Sequence, residues 1–408
     1  MSTDLEPNSS LPLPVVIIKS RHAMPFFNRH PWVFAGAIQK VDDDLPAGTL
    51  VEVRSHKKEF IAYGLLNPDS NIRVRLYSWD EEVLLDETFW SGRIDRAIQH
   101  RKLLFPNRNN QSACRMIQSE ADGVSGLTVD QYGDWLLVQL TSRALAEYQE
   151  ILFRLLQEKL SPKGIWLRTE KGIRDMEGLE IQDGLVAGIE PPRPLFIEEQ
   201  GGQFGVDVTQ GQKTGFFLDQ RENRIAVSKY VKGHHLLDLF CYSGAFGITA
   251  LKQGNAKSVI GVDSSASAIA LAEQNAVLNE VADRTEFVKA KVFDQLEQYQ
   301  SENRKFDTVI LDPPKMTRHR KGLSQAMRGY HSLNEMAVRL IPPGGILVTC
   351  SCSGLVDRET FEMMLSNVAT KSNRQIQILE SKNAAADHPV SVHCRDSNYL
   401  KCYICRVF

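Results

Sequence analysis

Apolar and polar residues are distributed differently in the two halves of this chain. From Val15 to about Tyr77 the apolar residues come in short, strand-like runs: Val15–Ile18, Leu50–Val53, Glu59–Leu65 and Ile72–Leu76. Turn residues separate them at Pro46-Ala47-Gly48 and Asn67-Pro68-Asp69, which predicts a small all-β module. Phe89 to about Phe105 reads as a helix with a basic face made of Arg93, Arg96, Arg101 and Lys102. Leu127–Val129 and Trp135–Leu140 read as a strand pair turned at Tyr132-Gly133-Asp134. Ala144–Leu160 carries apolar residues at helical spacing, and Gly164–Arg168 resumes as a strand. A further strand pair is expected near Gln203–Val208 and Thr214–Leu218.

From about Gln220 onward, strand-like and helix-like segments alternate. The strands end at Leu239, Asp263, Lys289, Asp312 and Ser351. Such alternation predicts an α/β fold with a doubly wound, Rossmann-like parallel sheet. The expected organisation is a disordered tail over 1–14, a β-barrel-like module over 15–85, a central α+β domain over 86–205 and the α/β domain over 206–408. No internal repeat is apparent.

Composition narrows the classes only a little. A chain of 408 residues is too long for one core. A formal charge of −2 means that any nucleic-acid surface must be a local patch. The cysteine count, seven, is odd, residues 1–14 lack a secretory pattern, and no apolar run approaches the roughly 18 residues of a membrane span. Free thiols in a reduced cytoplasmic setting, with no membrane association, are therefore expected. Cys402-Tyr403-Ile404-Cys405 has no companion pair at zinc-site spacing, so it reads as packing in a final strand, and no metal site is expected.

Three segments carry chemistry. Leu236 to Gly247, with Asp238, Phe240, Ser243 and Gly244, reads as a strand, a tight turn and a helix start, where backbone N–H groups approach a ligand. The next strand ends at Asp263-Ser264, about twenty residues on, where a carboxylate can accept from both hydroxyls of a ribose. That pair fits a dinucleotide or an adenosylmethionine site equally, and Asp263 could instead cap a helix. Asp312-Pro313-Pro314-Lys315 favours the second ligand, because a stiff carboxylate-bearing turn suits a target ring held beside a methyl donor. Finally, Gly344-Gly345-Ile346-Leu347-Val348 delivers Thr349-Cys350-Ser351-Cys352 to the edge where such sheets bind ligands. Either thiol could be a nucleophile or a small core residue. Cys352 is preferred because it lies further past the strand.

Residues 236–353 resemble the class I adenosylmethionine-dependent methyltransferases. The chain beyond its tail resembles the bacterial large-subunit (23S) ribosomal RNA cytosine-C5 methyltransferase I family. The resemblance rests on Gly211-Gln212-Lys213-Thr214-Gly215-Phe216-Phe217-Leu218-Asp219-Gln220-Arg221, on Cys350-Ser351-Cys352-Ser353-Gly354-Leu355 and on Ala385-Ala386-Asp387-His388-Pro389-Val390. His30-Pro31-Trp32-Val33-Phe34, within Met24 to Gly64, is similar to the family's PUA module.

The resemblance implies S-adenosylmethionine as cofactor, 23S ribosomal RNA as partner and a homodimer as one oligomeric possibility. It implies cofactor contacts from Asp238, Phe240, Ser243, Gly244, Asp263, Ser264 and Asp312, with Phe217, Asp219, Gln220 and Arg221 framing the site from outside the main sheet. Cytosine C5 becomes nucleophilic only after a thiolate adds to C6. That makes Cys352 the expected nucleophile, with Asp312 on the cytosine amino edge.

Pro314 stands where many RNA methyltransferases carry a second cysteine, so that route of product release is absent. Lys291, with Asp294 beyond it, occupies the place of the usual adenine-contacting acid, and the C5-proton acceptor is not legible. Asn334, one turn from Tyr330, could face the base or simply pack. RNA contacts are expected from Lys19, Arg21, Arg29, Arg54, Lys57 and Lys58, from Arg96, Arg101 and Lys102, and from Lys315, with Trp32 and Phe34 available for stacking or core packing. The competing readings are methylation of guanine N7, which needs no nucleophile, and a non-catalytic RNA-binding assembly factor. A dehydrogenase would leave Asp312-Pro313-Pro314 and the thiols unexplained.

Overall fold

The computed structural model describes residues 12–42, 44–209, 215–317 and 319–408. The tail up to residue 11 and Gly211 to Thr214 of the signature lie outside the described residues. The first sheet has six strands: β1 (Val15–Ile18), β2 (Trp32–Phe34), β3 (Ile38–Lys40), β4 (Leu50–Arg54), β5 (Phe60–Leu66) and β6 (Ile72–Ser78). Their order is β2-β6-β5-β4-β1-β3, with β1 and β4 parallel and the other pairs antiparallel. Alternate residues such as Val51 and Val53 turn inward and are fully buried.

The helix Glu87–Leu104 follows, started by Asp86, whose side chain accepts from the Phe89 N–H at 2.8 Å. It packs beside a second sheet of β7 (Ala113–Gln118), β8 (Leu127–Tyr132), β9 (Trp135–Leu140), β10 (Gly164–Leu167) and β11 (Gly184–Gly188), in the order β11-β10-β9-β8-β7. The helix expected over Ala144–Leu160 is broken into Arg143–Ala146 and Gln149–Leu160. At the break, the Tyr148 hydroxyl donates to the Gly48 carbonyl at 3.2 Å, in the turn that leads into β4.

A correction concerns the next pair. β13 (Gly202–Val206) pairs with β12 (Leu195–Glu199), and Thr214 of the expected partner lies outside the described residues. Leu195, Ile197 and Glu199 face inward on β12, and Glu199 meets Arg224 there. Gly215 to Phe217 is irregular and leads into a 3-10 turn at Leu218–Gln220.

The last sheet has seven strands: β14 (His235–Leu239), β15 (Ser258–Asp263), β16 (Thr285–Lys289), β17 (Thr308–Leu311), β18 (Gly345–Ser351), β19 (Ile376–Lys382) and β20 (Lys401–Val407). Their order is β16-β15-β14-β17-β18-β20-β19, parallel except for β20, which runs antiparallel to both neighbours. Every residue of β17 and β18 is buried, as befits strands covered on both faces. Cys402 and Cys405 are both buried in β20 but belong to the cores on opposite faces of the sheet, so they cannot share a ligand. Among the described residues, no helix is long and apolar enough to cross a membrane.

Candidate active site

The carboxyl ends of β14, β15, β17 and β18 open on one cleft with about 1020 Å³ of empty volume, including its open mouth. Phe216, Phe217, Asp219, Gln220, Phe240, Ser243, Asp263, Ser264, Asp312 and Cys352 all line it. The order reverses between β14 and β17, and ligands settle at such a crossing of connections.

β14 ends at Leu239, and the chain turns through Phe240 (φ 62°), Tyr242 (φ 48°) and Gly244 (φ 74°) before the helix Ala245–Gln253 begins. Asp238 lies beneath this turn. It is 1 % exposed, and its Oδ2 accepts from the Gly247 N–H at 3.1 Å. Burial, opposed by that hydrogen bond and reinforced by Asp312 and Asp263, raises its carboxyl to about 7. Asp238 therefore braces the turn from beneath and does not itself line the cleft, where a cofactor contact was expected. Gly244 is corrected likewise: it does not line the cleft, and a Cβ there would sit 3.1 Å from Phe287 at the back of the turn.

Asp263 ends β15 with both carboxylate oxygens anchored. Oδ2 accepts from the Tyr242 N–H at 3.1 Å and Oδ1 from the Ser265 N–H at 2.9 Å. Ser265, not Asp263, caps the following helix, so the capping alternative for Asp263 is not what the fold uses. A carboxylate held in place by two backbone donors keeps lone pairs for a diol.

The thiols separate cleanly. Cys350 is fully buried opposite Cys402, and that thiol's hydrogen bond, together with burial, pushes Cys350 well above the ordinary thiol range. Cys352 is half-buried on the cleft wall, its Sγ 3.8 Å from the Pro313 carbonyl oxygen. Strand β17 and its Asp312-Pro313-Pro314 extension thus meet the end of β18.

Arg221 is another correction. It lies behind the cleft, paired with Asp387 at 3.1 Å and Glu199 at 3.4 Å, with a further bond to the Ala113 carbonyl at 2.6 Å. The arginine on the cleft wall is Arg224, held by Glu199 and donating to the Phe217 carbonyl at 3.1 Å. Arg221-x-x-Arg224 sits at helical spacing, a signal that both arginines share a face, but the sequence reading used only the first. Cys241, Tyr242 and Leu400 also line the cleft and were not singled out for it. Asn334 is buried, donates to the Tyr330 carbonyl at 2.8 Å and does not line the cleft, so it packs. Lys291 and Asp294 are exposed and outside the lining.

Of the expected RNA contacts, Lys19, Arg21, Arg29, Arg96 and Lys315 are exposed. Arg29 from the first sheet's loop and Arg96 from the helix both bear on Arg93, depressing its guanidinium after burial does so. They form a cationic cluster across two structural units. Arg101 does not join it. It is fully buried, with a two-pronged pair to Asp122 at 2.7 Å and a bond to the Asp387 carbonyl at 2.9 Å, which corrects its expected place on RNA. Arg54 is held by Glu52 and Glu81. Trp32 donates to Glu120 at 3.1 Å and packs, whereas Phe34 is 42 % exposed.

Comparison with known proteins places the chain. A PUA-like domain family matches residues 16–79, and the S-adenosylmethionine-dependent methyltransferase family matches residues 125–390. A "Ribosomal RNA large subunit methyltransferase I" from Yersinia pestis is 38 % identical over 395 residues, covering 96 % of this chain and 99 % of that protein. This chain belongs to that methyltransferase family. The fold agrees with solved structures at lower identity. SMU.776, crystallised with SAH, has a TM-score of 0.84 at 20 % identity, covering 96 % of this chain and 99 % of its own. Trm5b from Pyrococcus abyssi has a TM-score of 0.51 at 19 % identity, covering 68 % and 74 %.

As a family member the chain uses S-adenosylmethionine, and the residues present fit that group. Asp263 would hold the ribose diol. The aromatic rings of Phe217 and Phe240 would flank flat or apolar parts, and backbone N–H groups open the helix at Ala245.

Proposed function

We propose that this protein is an RNA methyltransferase that forms 5-methylcytidine in large-subunit (23S) ribosomal RNA, with Cys352 as the nucleophile and Asp312 on the cytosine amino edge. The observation that carries the reading is the partly exposed Cys352 thiol on the wall of the methyl-donor cleft, across from Pro313, while its rival Cys350 is sealed in the core. A guanine-N7 enzyme has no use for a thiol there.

Bound S-adenosylmethionine supplies an electrophilic methyl group on sulfur. The Cys352 thiolate adds to cytosine C6, forming a C–S bond and moving the ring's electron pair to C5. Asp312 accepts from the N4 amino group and so orients the ring for that attack. After C5 has taken the methyl group, a base removes the C5 proton, the electron pair returns to the ring and the C–S bond breaks, freeing the thiolate. Pro313 and Pro314 fix the backbone between Asp312 and the facing thiol. The exposed Arg29–Arg96 cluster supports RNA binding by backbone contacts.

The test is methyl transfer from labelled S-adenosylmethionine to bulk ribosomal RNA with nucleoside analysis, comparing the native enzyme with Cys352→Ala. Labelled 5-methylcytidine that disappears in the variant is expected. A different methylated nucleoside, made equally by the variant, would overturn the reading, and absence of transfer to any RNA preparation would favour a binding factor.

A further inference from the structure

Lys401 is a buried cation beside the thiol that the reaction above leaves without a task. It opens β20 and lies directly across from Ser351 in the antiparallel register, one residue before Cys352. It is only 2 % exposed. Lysine is rarely taken so far from water unless a partner or a function holds it there. Among the described residues, no carboxylate lies within ion-pair distance of its ammonium.

Its Nζ donates instead to the Ser353 carbonyl at 2.5 Å and the Tyr399 carbonyl at 2.8 Å. Both acceptors adjoin residues of the cleft. Ser353 follows the thiol in the chain, and the Tyr399 hydroxyl holds Asp219 Oδ2 at 2.7 Å on the cleft wall. One ammonium thus ties the segment that carries Cys352 to the segment that carries Tyr399 and Leu400.

The charges around it point the same way. After burial, Cys352 is the neighbour that bears most on Lys401 and favours its charge, with Asp357 adding to it, while Arg358 and Lys315 oppose. Burial lowers its ammonium to about 8, so it still carries its proton at neutral pH. Cys352 and Asp312 also bear on the Tyr330 hydroxyl, which accepts from Ser351 at 3.0 Å and whose own ionisation is pushed far up by burial. Lys401 is therefore a buried cation hydrogen-bonded to the residue that follows the thiol, with Asp312 on the cleft wall and Lys315 exposed beyond it.

We propose that Lys401 is a positioning residue for Cys352: it fixes the backbone that presents the thiol and supplies the buried positive charge that stabilises its thiolate. This rests on the reading of Cys352 as nucleophile and adds a reason for its reactivity, since a thiol beside a fixed cation ionises at lower pH.

The experiment measures iodoacetamide alkylation of Cys352 against pH, read by mass spectrometry on its own peptide, in the full chain. Native protein, Lys401→Met, Lys401→Gln and Lys401→Arg are compared. The midpoint should rise in Met and Gln by about one pH unit, a roughly tenfold loss of thiolate near neutrality, and return most of the way in Arg. An unshifted midpoint in Lys401→Gln, which keeps hydrogen-bond donors without the charge, would overturn the proposal even if Lys401→Met does not fold. The nucleophile reading fails separately, if Cys352→Ala still makes 5-methylcytidine.

Discussion

Asp387 and Arg221, 166 residues apart in the chain, meet at 3.1 Å in the buried ground between the second and the last sheet. The same Asp387 oxygen accepts from the Arg115 backbone N–H at 3.0 Å, and its carbonyl accepts from Arg101 at 2.9 Å. Burial pushes the Asp387 carboxyl up, but His388 and Arg221 outweigh it and hold the group well below the usual range. Replacing it by Asn leaves Arg221 underpaired, at a cost of about 3–5 kcal/mol. Because the folded value is depressed, its stabilisation is complete above the ordinary carboxylate range and fades as the pH falls below it. Urea titrations should show the gap between native and Asp387→Asn narrowing from pH 5 downward.

Asp238 behaves in the opposite sense. Its carboxyl is raised to about 7 in the folded chain, so the protonated form is favoured there. Its contribution is whole below the ordinary Asp range and is lost as the pH climbs through about 7. Asp238→Asn keeps an acceptor for the Gly247 N–H without that titration. The stability of the native protein relative to this variant should fall between pH 4 and 8, as followed by urea unfolding at each pH.

Asp263→Ala removes the carboxylate proposed for the ribose diol and the brace on the Tyr242 N–H. Loss of charge-assisted hydrogen bonds worth about 1.5–3 kcal/mol should weaken S-adenosylmethionine binding roughly 10- to 100-fold by calorimetry. Turnover at saturating donor should change far less.

Cys350→Ala tests the division of labour between the thiols. The variant should retain methyl transfer and lose about 1 kcal/mol of stability, since Cys350 fills a core position against Cys402. A transfer rate as low as that of Cys352→Ala would assign the chemistry to the wrong thiol.

The double variant Arg29→Ala, Arg96→Ala should weaken ribosomal RNA binding and flatten the dependence of log affinity on log salt by roughly 1–2 units. Arg101→Ala, at a buried position, should instead lower stability by about 3–5 kcal/mol through the uncompensated Asp122.

What was legible in the sequence follows from which forces are local. The ends of β14, β15, β16 and β18 are marked by apolar runs stopping at polar or turn residues, and they fall where the pattern puts them. Asp263, Asp312, Phe217, Asp219, Gln220 and Cys352 share one cleft because each lies at, or next to, a strand end or a specific signature. What the pattern could not reveal was pairing at a distance. Arg101 and Arg221 look like surface cations until Asp122, Asp387 and Glu199 arrive from elsewhere in the chain. β12 was missed because its partner and its inward-facing Glu199 are fixed by tertiary contacts. Lys401 drew no notice because nothing local distinguishes a lysine at the start of a strand.

The placement of β20 carries a consequence for assembly. Among the described residues, β19 pairs only with β20, and β18 gains its second neighbour only from it, so residues 345–382 wait for residues 401–407 before that side of the sheet can close. Lys401 arrives with the same strand. A chain still emerging from the ribosome would hold its adenosylmethionine turn early and its thiol clamp late, so cofactor affinity should precede thiol activation during synthesis.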